Sequence, residues 1–292
     1  MRLIVWTALG AASLITWRWR SAQRKRQHLV RLGAIQPLCS CWHRVAGLRL
    51  HARTSTEAAR VDATPVVLVH GFGVSSSYFI PTAERLASRF AVFAPDLPGH
   101  GRSDSLLPPP GVKQLAEIAL EWMSAAGLER ACVVAHSMGC QVAVEMALRS
   151  PDRISRLVLI GPTSDPHSRN LAAQFCRLLL GVVYERPSLT YHVFKDYLRM
   201  NWRLVPEFHS MLHDPVEKKL PLVAVPTLLV RGENDPVVPQ RWLEEAARLL
   251  GTRHVIVIPR WGHAVQYSAA PQVVDVIEPF LSADTRSQLV HG

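Results

Sequence analysis

Short apolar runs alternate with amphipathic stretches along most of the chain. The runs rich in β-branched residues predict strands at 45–53, 66–70, 91–95, 131–135, 155–160, 226–231 and 254–258. Helical periodicity lies between them, at 78–89, 112–126, 138–149, 240–250 and 271–281. Apolar strands that alternate with helices are typical of a parallel sheet covered on both faces. The pattern predicts an α/β fold with a doubly wound, mostly parallel sheet.

The alternation stops once, between Gly161 and about Leu220. No strand-like run lies there, but helical stretches occur near 167–181, 188–202 and 206–213. An insertion of ~60 residues exceeds an ordinary crossover, and the carboxyl end of a strand is where open α/β sheets bind ligands. We predict that residues 162–220 form a helical lid on a core of residues 45–161 and 221–285. Two ordinary crossover helices with long loops are the alternative.

The N-terminus combines an apolar run of 15 residues, Leu3–Trp17, with a basic cluster. Residues 1–31 contain no acid and seven basic side chains: Arg2, Arg18, Arg20, Arg24, Lys25, Arg26 and Arg31. They account for +7 of the net charge of +10, so the remaining chain is nearly balanced and nucleic acid is not an expected partner. The apolar run is shorter than the roughly 20 residues that span a bilayer, and its flanking charges do not fit a secretory signal.

We therefore predict that residues 1–31 associate with a membrane surface and that the catalytic domain lies in the cytoplasm. A soluble cytoplasmic protein, with this segment packed on its body, is the alternative.

Cysteine and histidine usage predicts neither a disulfide framework nor a metal site. The chain has five cysteines, an odd number, and Cys39 and Cys41 form a lone C-x-C without a second ligand pair. His70, His100 and His136 belong to separate loops. We expect free thiols, no metal and no cofactor.

A candidate nucleophile lies in Ala135-His136-Ser137-Met138-Gly139, between a predicted strand and a predicted helix. This stretch matches G-x-S-x-G except that alanine replaces the first glycine. Such a motif places serine on a sharp strand-to-helix turn, where its oxygen is accessible. A serine that only caps the following helix is the alternative.

His70-Gly71-Phe72-Gly73 follows the predicted strand 66–70. A loop flanked by glycine can turn a backbone N–H group toward a substrate. We expect the backbone N–H groups of Phe72 and Met138 to form an oxyanion hole.

Asp235 and His263 complete the candidate site. Asp235 lies just after the predicted strand 226–231, and His263 follows the strand 254–258. With Ser137, both lie beyond the carboxyl ends of predicted parallel strands. The order Ser, Asp, His predicts a catalytic triad of Ser137, Asp235 and His263.

With these motifs, and with the D-x-P-G-x-G-x-S stretch Asp96–Ser103, the chain resembles the α/β hydrolases over roughly residues 45 to 285. The most similar subgroup holds lid-bearing serine esterases and meta-cleavage C–C hydrolases. The resemblance implies acyl-enzyme chemistry without a cofactor. Haloalkane dehalogenases and epoxide hydrolases share the fold but carry aspartate where this chain has Ser137, so those activities are disfavoured.

The sequence leaves several functions open. Hydrolysis of a carboxylic ester of a hydrophobic small molecule is the first, favoured by apolar residues in the predicted lid: Leu178, Leu179, Leu180, Phe194 and Trp202.

C–C hydrolysis of a meta-cleavage dienoate is the second. The resemblance implies that lid arginines would hold the substrate carboxylate, and Arg169, Arg177 and Arg199 are available. It also implies an aromatic residue after the catalytic histidine, where this chain has Ala264. Acyl transfer, perhydrolysis and a non-catalytic membrane-attached binding role are further alternatives.

Overall fold

The sheet of this chain has eight strands. The computed structural model describes residues 23–56, 63–200 and 204–283. The strands are β1 (Leu38–Val45), β2 (Leu48–Ser55), β3 (Val66–Val69), β4 (Val92–Pro95), β5 (Ala131–His136), β6 (Ile154–Ile160), β7 (Thr227–Gly232) and β8 (Val255–Ile258). Their order is β1-β2-β4-β3-β5-β6-β7-β8; β2 pairs antiparallel with β1 and β4, and the other pairs are parallel. The predicted α/β hydrolase fold, with its mostly parallel sheet, is confirmed.

Helices cover both faces of the sheet. They are α1 (23–31), α2 (Ile80–Leu86), α3 (Val112–Ala125), α4 (Met138–Arg149), α5 (Leu171–Gly181), α6 (Pro187–Met200), α7 (Leu204–His213), α8 (Val216–Lys219), α9 (Gln240–Leu250), α10 (Val265–Ser268) and α11 (Ala270–Ser282). Buried side chains of α3, α4 and α9 share one apolar cluster, and those of α2, α10 and α11 share another.

The strands contribute to the two clusters alternately. In β3, Val66 and Leu68 belong to the α2 side, whereas Val67 and Val69 belong to the α3 side. Successive side chains of a strand point to opposite faces, so a strand buried on both faces must be apolar throughout. This requirement explains the continuous apolar runs in the sequence.

The first strands differ from the sequence prediction. A single strand was expected over 45–53, but Ala46 and Gly47 form a tight turn, with φ of 50° and 79°, between β1 and β2. β1 is an edge strand whose side chains are mostly exposed or half-buried. It therefore lacks the apolar pattern on which the prediction relied.

Helices α5 to α8 lie between β6 and β7, and we call residues 161–226 the inserted segment. As expected, the described part of this segment contains helices and no strand. Pro187 is the first residue of α6, and Pro206 lies in the first turn of α7. Proline fits the start of a helix because the first N–H groups have no partner within the helix.

The basic N-terminal cluster is only partly described. Residues 1–22, which include the apolar run, lie outside the described residues, and 23–31 form α1. Arg26 forms a salt bridge with Glu84 of α2 that involves both carboxylate oxygens. Glu84 is only 4% exposed. Arg26 is therefore engaged by the body of the protein. None of the described helices is long and apolar enough to cross a membrane.

The start of α4 packs directly on the end of β3, and this contact gives a testable prediction. A Cβ atom on Gly139 would lie 2.4 Å from the Val69 carbonyl oxygen and 2.6 Å from that of His70. Both atoms are backbone and cannot move aside. We expect Gly139→Ala to lower the free energy of unfolding by about 1–3 kcal/mol, the usual cost of overpacking, in chemical denaturation.

Gly181→Ala is the matched control, because its Cβ would meet its nearest neighbour, Pro236 Cγ, at an ordinary 3.5 Å. Equal stability of the two variants would contradict the predicted clash.

Candidate active site

Ser137 lies on the turn between β5 and α4. Its φ of 54° and ψ of −124° are strained for a residue with a side chain. Its N–H donates to the Ile160 carbonyl of β6 at 3.0 Å, and its carbonyl accepts from the Cys140 N–H at 2.9 Å. These bonds hold the turn from both sides. The serine is thus fixed beyond the end of its strand, as the motif predicts.

The small residues around Ser137 have different roles. Gly139 is required by its contact with the β3 backbone, whereas Ala135 is fully buried and belongs to the apolar cluster on the α3 side. A methyl group therefore fits where the motif usually has its first glycine. Met138 is the first residue of α4, so its N–H group has no acceptor within the helix.

The loop after β3 approaches the same turn. A Cβ atom on Gly71 would lie 3.0 Å from Ser137 Cβ and 3.2 Å from the His136 carbonyl oxygen. The next residue, Phe72, packs its ring on Tyr197 and Phe208 of the inserted segment, with centroids 6.2 and 5.1 Å apart. Glycine at 71 thus lets the backbone of the predicted oxyanion loop come close to Ser137.

Asp235 and His263 form a buried pair. His263 Nδ1 lies 2.7 Å from Asp235 Oδ2, and Asp235 Oδ1 accepts from the N–H groups of Val237 (2.8 Å) and Val238 (3.1 Å). A carboxylate only accepts, so Nδ1 carries the proton and Nε2 of the neutral ring holds the lone pair. Nε2 has no hydrogen-bond partner among the described residues. It is therefore free to accept a proton.

Two opposing effects set the pKa of His263. Burial alone would lower this pKa, but the charge and hydrogen bond of Asp235, with a smaller contribution from the Glu185 charge, raise it above the ordinary value, while Arg231 opposes the rise. The environment thus stabilises the imidazolium that a general base becomes after taking a proton.

A hydrogen-bonded chain links the Gly71 loop to the His263 loop. The Gly71 N–H donates to the Tyr78 hydroxyl at 3.1 Å, and this hydroxyl contacts His136 Nδ1. His136 Nε2 lies 3.0 Å from the His263 carbonyl oxygen. That carbonyl can only accept, so His136 carries its proton on Nε2 and Nδ1 accepts from Tyr78. Burial holds the pKa of His136 well below its usual range, which keeps the ring neutral.

The other motif histidines are also engaged. His70 is buried, with Nδ1 2.9 Å from the Gly71 carbonyl and Nε2 accepting from the Leu97 N–H at 2.9 Å. Burial lowers the pKa of His70 to about 3. His100 Nε2 lies 3.1 Å from a Glu207 carboxylate oxygen on α7. Within the described parts of the chain, no cluster of His, Cys, Asp or Glu could hold a metal ion.

A cavity of about 850 Å³ opens over this site. Ser137 and His263 both line it, together with residues of the inserted segment that are mainly apolar: Ala172, Leu178, Leu179, Leu189, Val193, Val205, Phe208, Met211 and Leu212. Among the described residues, no lysine or arginine lines the cavity. The described lining is therefore mainly apolar, and it offers no lysine or arginine to pair with an anionic ligand.

The arginines considered as carboxylate ligands have other partners. Arg169 pairs with Glu217 and donates to the Asp214 carbonyl, and Arg177 Nη1 lies 3.9 Å from Asp165 Oδ2. The side chains of Arg199 and Phe194, and the whole of Trp202, lie outside the described part of the structure.

The sequence interpretation missed Tyr78 and Glu185, and it missed the structural use of His136. Tyr78 and Glu185 belong to no motif, because each contacts a loop that is distant in sequence. Only the position of His136 beside Ser137 could have indicated its role.

The chain belongs to the alpha/beta hydrolase family, which it matches over residues 66–276. It is 28% identical, over 76% of its length and 92% of the relative, to RutD of Caulobacter sp. (strain K31), a protein provisionally named as a carbamate hydrolase.

Solved structures share the fold. A membrane phospholipase A described as a bacterial virulence factor has a TM-score of 0.71 at 21% identity, with coverage of 96% of this chain and 98% of that one. The 2-hydroxy-6-oxo-6-phenylhexa-2,4-dienoate hydrolase of Rhodococcus sp. strain RHA1 has a TM-score of 0.66 at 20% identity, with coverage of 83% and 99%. Two different substrates in these names show that the fold does not select the reaction.

The pairing of His263 with Asp235 predicts a change in titration. In Asp235→Asn the carboxylate charge is lost while burial remains, so the pKa of His263 should fall. Proton NMR titration of the imidazole signals measures it, with the His263 signal assigned by its loss in His263→Gln. Asp275→Asn, at an exposed position on α11, is the control. An unchanged His263 midpoint in Asp235→Asn would contradict the electrostatic coupling.

Proposed function

We propose that this protein is a serine hydrolase that cleaves a carboxylic ester, or a similar acyl compound, of a hydrophobic small molecule. One observation carries the proposal: Ser137 lies on a strained turn and lines the same cavity as His263, whose ring is held by the buried Asp235. Nucleophile, base and orienting carboxylate are the three parts that acyl transfer to water needs.

In the proposed reaction, His263 Nε2 takes the proton of the Ser137 hydroxyl while Ser137 Oγ attacks the substrate carbonyl. Asp235 stabilises the imidazolium, and the backbone N–H groups of Phe72 and Met138 bind the negative oxygen of the tetrahedral intermediate. The imidazolium then donates this proton to the oxygen of the leaving alcohol. The alcohol departs, and the acyl group stays bound to Ser137 Oγ. Water then attacks the acyl group while His263 takes one of its protons. The imidazolium returns this proton to Ser137 Oγ as the ester bond breaks, so the serine hydroxyl is restored and the carboxylic acid leaves.

The cavity supports an apolar substrate. Its lining is dominated by aliphatic and aromatic side chains from the inserted segment. An ester with a hydrophobic acyl or alkyl part would bury that surface without leaving a charge unpaired. In this proposal the inserted segment is a lid that determines which substrate enters.

The same features weigh against C–C hydrolysis of a dienoate. Such a substrate is an anion, yet among the described residues no basic side chain except histidine lines the cavity, and Arg169 and Arg177 are paired elsewhere. Acyl transfer and perhydrolysis would use the same residues with a different second substrate. A purely binding role would not require His263 Nε2 to remain free next to the cavity that Ser137 and His263 both line.

Association of residues 1–31 with a membrane is part of the proposal. Arg24 and Lys25 of α1 are exposed, whereas Arg26 is engaged by Glu84. Large apolar side chains are also exposed on the inserted segment, namely Leu179, Leu180, Val183, Tyr184, Tyr191, Leu198, Val205 and Leu222. A lipid surface would cover such side chains and would supply hydrophobic esters.

Replacement of the nucleophile tests the catalytic proposal. We expect Ser137→Ala to lower kcat by roughly 10⁶-fold, because the acyl-enzyme cannot form. Hydrolysis of p-nitrophenyl esters with increasing acyl length measures the loss, and longer acyl chains should raise kcat/KM in the wild type.

A ring-cleavage dienoate is assayed in parallel. Turnover of the dienoate but not of the esters would select the C–C reaction, and equal ester turnover in Ser137→Ala would refute the serine mechanism.

Removal of residues 1–22 tests the membrane proposal. This deletion keeps α1, so Glu84 keeps its Arg26 partner. We expect the full chain to sediment with vesicles of phosphatidylcholine and phosphatidylglycerol, and the truncated chain to bind them far less. Equal binding of both chains would show that residues 1–22 are not the anchor.

The exposed apolar side chains are tested within the truncated chain. Leu180→Ser should reduce the residual vesicle binding, whereas Leu107→Ser, at a comparably exposed leucine outside the inserted segment, should not. Equal effects of the two changes would count against a role for the inserted segment.

A further inference from the structure

Glu185 connects the inserted segment to the loop that carries His263. It lies between α5 and α6, is half-buried and lines the cavity. Its Oε1 atom accepts from the Ala264 N–H at 2.7 Å, and its Oε2 atom accepts from the Ser268 hydroxyl. That hydroxyl also accepts from the Arg186 N–H at 3.2 Å. Both carboxylate oxygens thus bind residues that follow His263 in the chain: Ala264 is the next residue, and Ser268 ends α10.

The peptide group between His263 and Ala264 is held on both sides. Its carbonyl oxygen accepts from His136 Nε2 at 3.0 Å, and its N–H donates to Glu185. His136 ends β5 in the core, whereas Glu185 comes from the inserted segment. The backbone at His263 is therefore fixed between the core and the inserted segment, in addition to the bond between its ring and Asp235.

Gly262 makes this approach possible. A Cβ atom at this position would lie 2.8 Å from Glu185 Oε1 and 3.0 Å from Tyr184 Cβ. Any larger residue would push the carboxylate away from the Ala264 N–H. The glycine before His263 thus has a structural reason that involves the inserted segment.

We propose that Glu185 is a positioning residue for His263, through which the seating of the inserted segment controls the general base. The inference rests on the proposed function, since it assigns a helper to that same site. When the segment is seated, the carboxylate fixes the backbone after His263 and adds a second negative charge near its ring. If the segment moved away, both effects would be lost together.

The charges around His263 agree with this role. Asp235 and Glu185 favour the imidazolium, Arg231 disfavours it, and His136 is neutral. Burial raises the pKa of Glu185 itself, although the bonds from Ser268 and Ala264 and the charge of His263 oppose the rise. Because the charge of Glu185 favours the imidazolium of His263, loss of that charge should lower the pKa of His263.

Two substitutions separate the charge from the hydrogen bond. Glu185→Gln removes the charge, but its amide oxygen can still accept from the Ala264 N–H. Glu185→Ala removes both. The measurement is the rate constant with which a fluorophosphonate probe labels Ser137, determined as a function of pH. It needs no knowledge of the natural ester.

The expected result differs between the two variants. A base must be neutral, so a lower pKa of His263 should shift the acidic limb of the labelling profile to lower pH in both. The plateau rate should remain close to wild type in Glu185→Gln. In Glu185→Ala it should fall by up to about 100-fold, the loss expected for a displacement of about 1 Å. Glu278→Gln is the matched control, because its partner Arg89 lies away from the site. It should change neither the acidic limb nor the plateau rate.

A purely structural role would lower the plateau without moving the acidic limb, and that result would overturn the inference. So would wild-type profiles in both variants. If Glu185→Ala does not fold, Glu185→Gln still decides through its acidic limb. If wild type and Ser137→Ala label equally, the serine hydrolase proposal fails by itself. The proposal for Glu185 is then decided by the pH midpoint of the His263 imidazole signal in an NMR titration of Glu185→Gln. An unchanged midpoint refutes it.

Discussion

Parallel pairing of β5, β6, β7 and β8 brings the carboxyl ends of four strands to one edge of the sheet. His136 pairs with Ile160, Ile160 pairs with Val230, and Gly232 pairs with Ile258. The loops after β5, β7 and β8 must therefore lie at the same edge of the sheet. Along the chain they are far apart, because β5 ends at His136 and β8 ends at Ile258. Every contact of the candidate site depends on this register, because a strand that slipped by one residue would also exchange its two buried faces.

The sequence was informative where chemistry and geometry share a local motif. The turn at Ser137 needs a small residue at 139, and this need is visible as glycine. Asp235 and His263 could be predicted from their places after apolar runs, and the structure brings their side chains together. The edge strand β1 could not be predicted, since its exposed side chains leave no apolar pattern.

Long-range polar contacts were beyond the sequence for a different reason. Tyr78 meets His136 across 58 residues, and Glu185 meets Ala264 across 79. Neither contact has a periodicity or a spacing rule, because a hydrogen bond depends on where two loops meet in space. The tautomer of His136 follows only after each neighbour has been identified as a donor or an acceptor.

The inserted segment leaves from β6 and returns to β7, which are neighbours in the sheet. Because these strands are parallel, its two ends are fixed at opposite edges of the sheet, one strand length apart, and the entropy of closing such a loop grows only slowly with its length. Evolution can exchange a segment of this kind without rerouting a strand, which would let one core acquire new substrate ranges. The Glu185 contact limits that freedom. A replacement segment that brought no acceptor for the Ala264 N–H would leave the histidine loop with one support fewer, so successful exchanges should carry an equivalent group at this point.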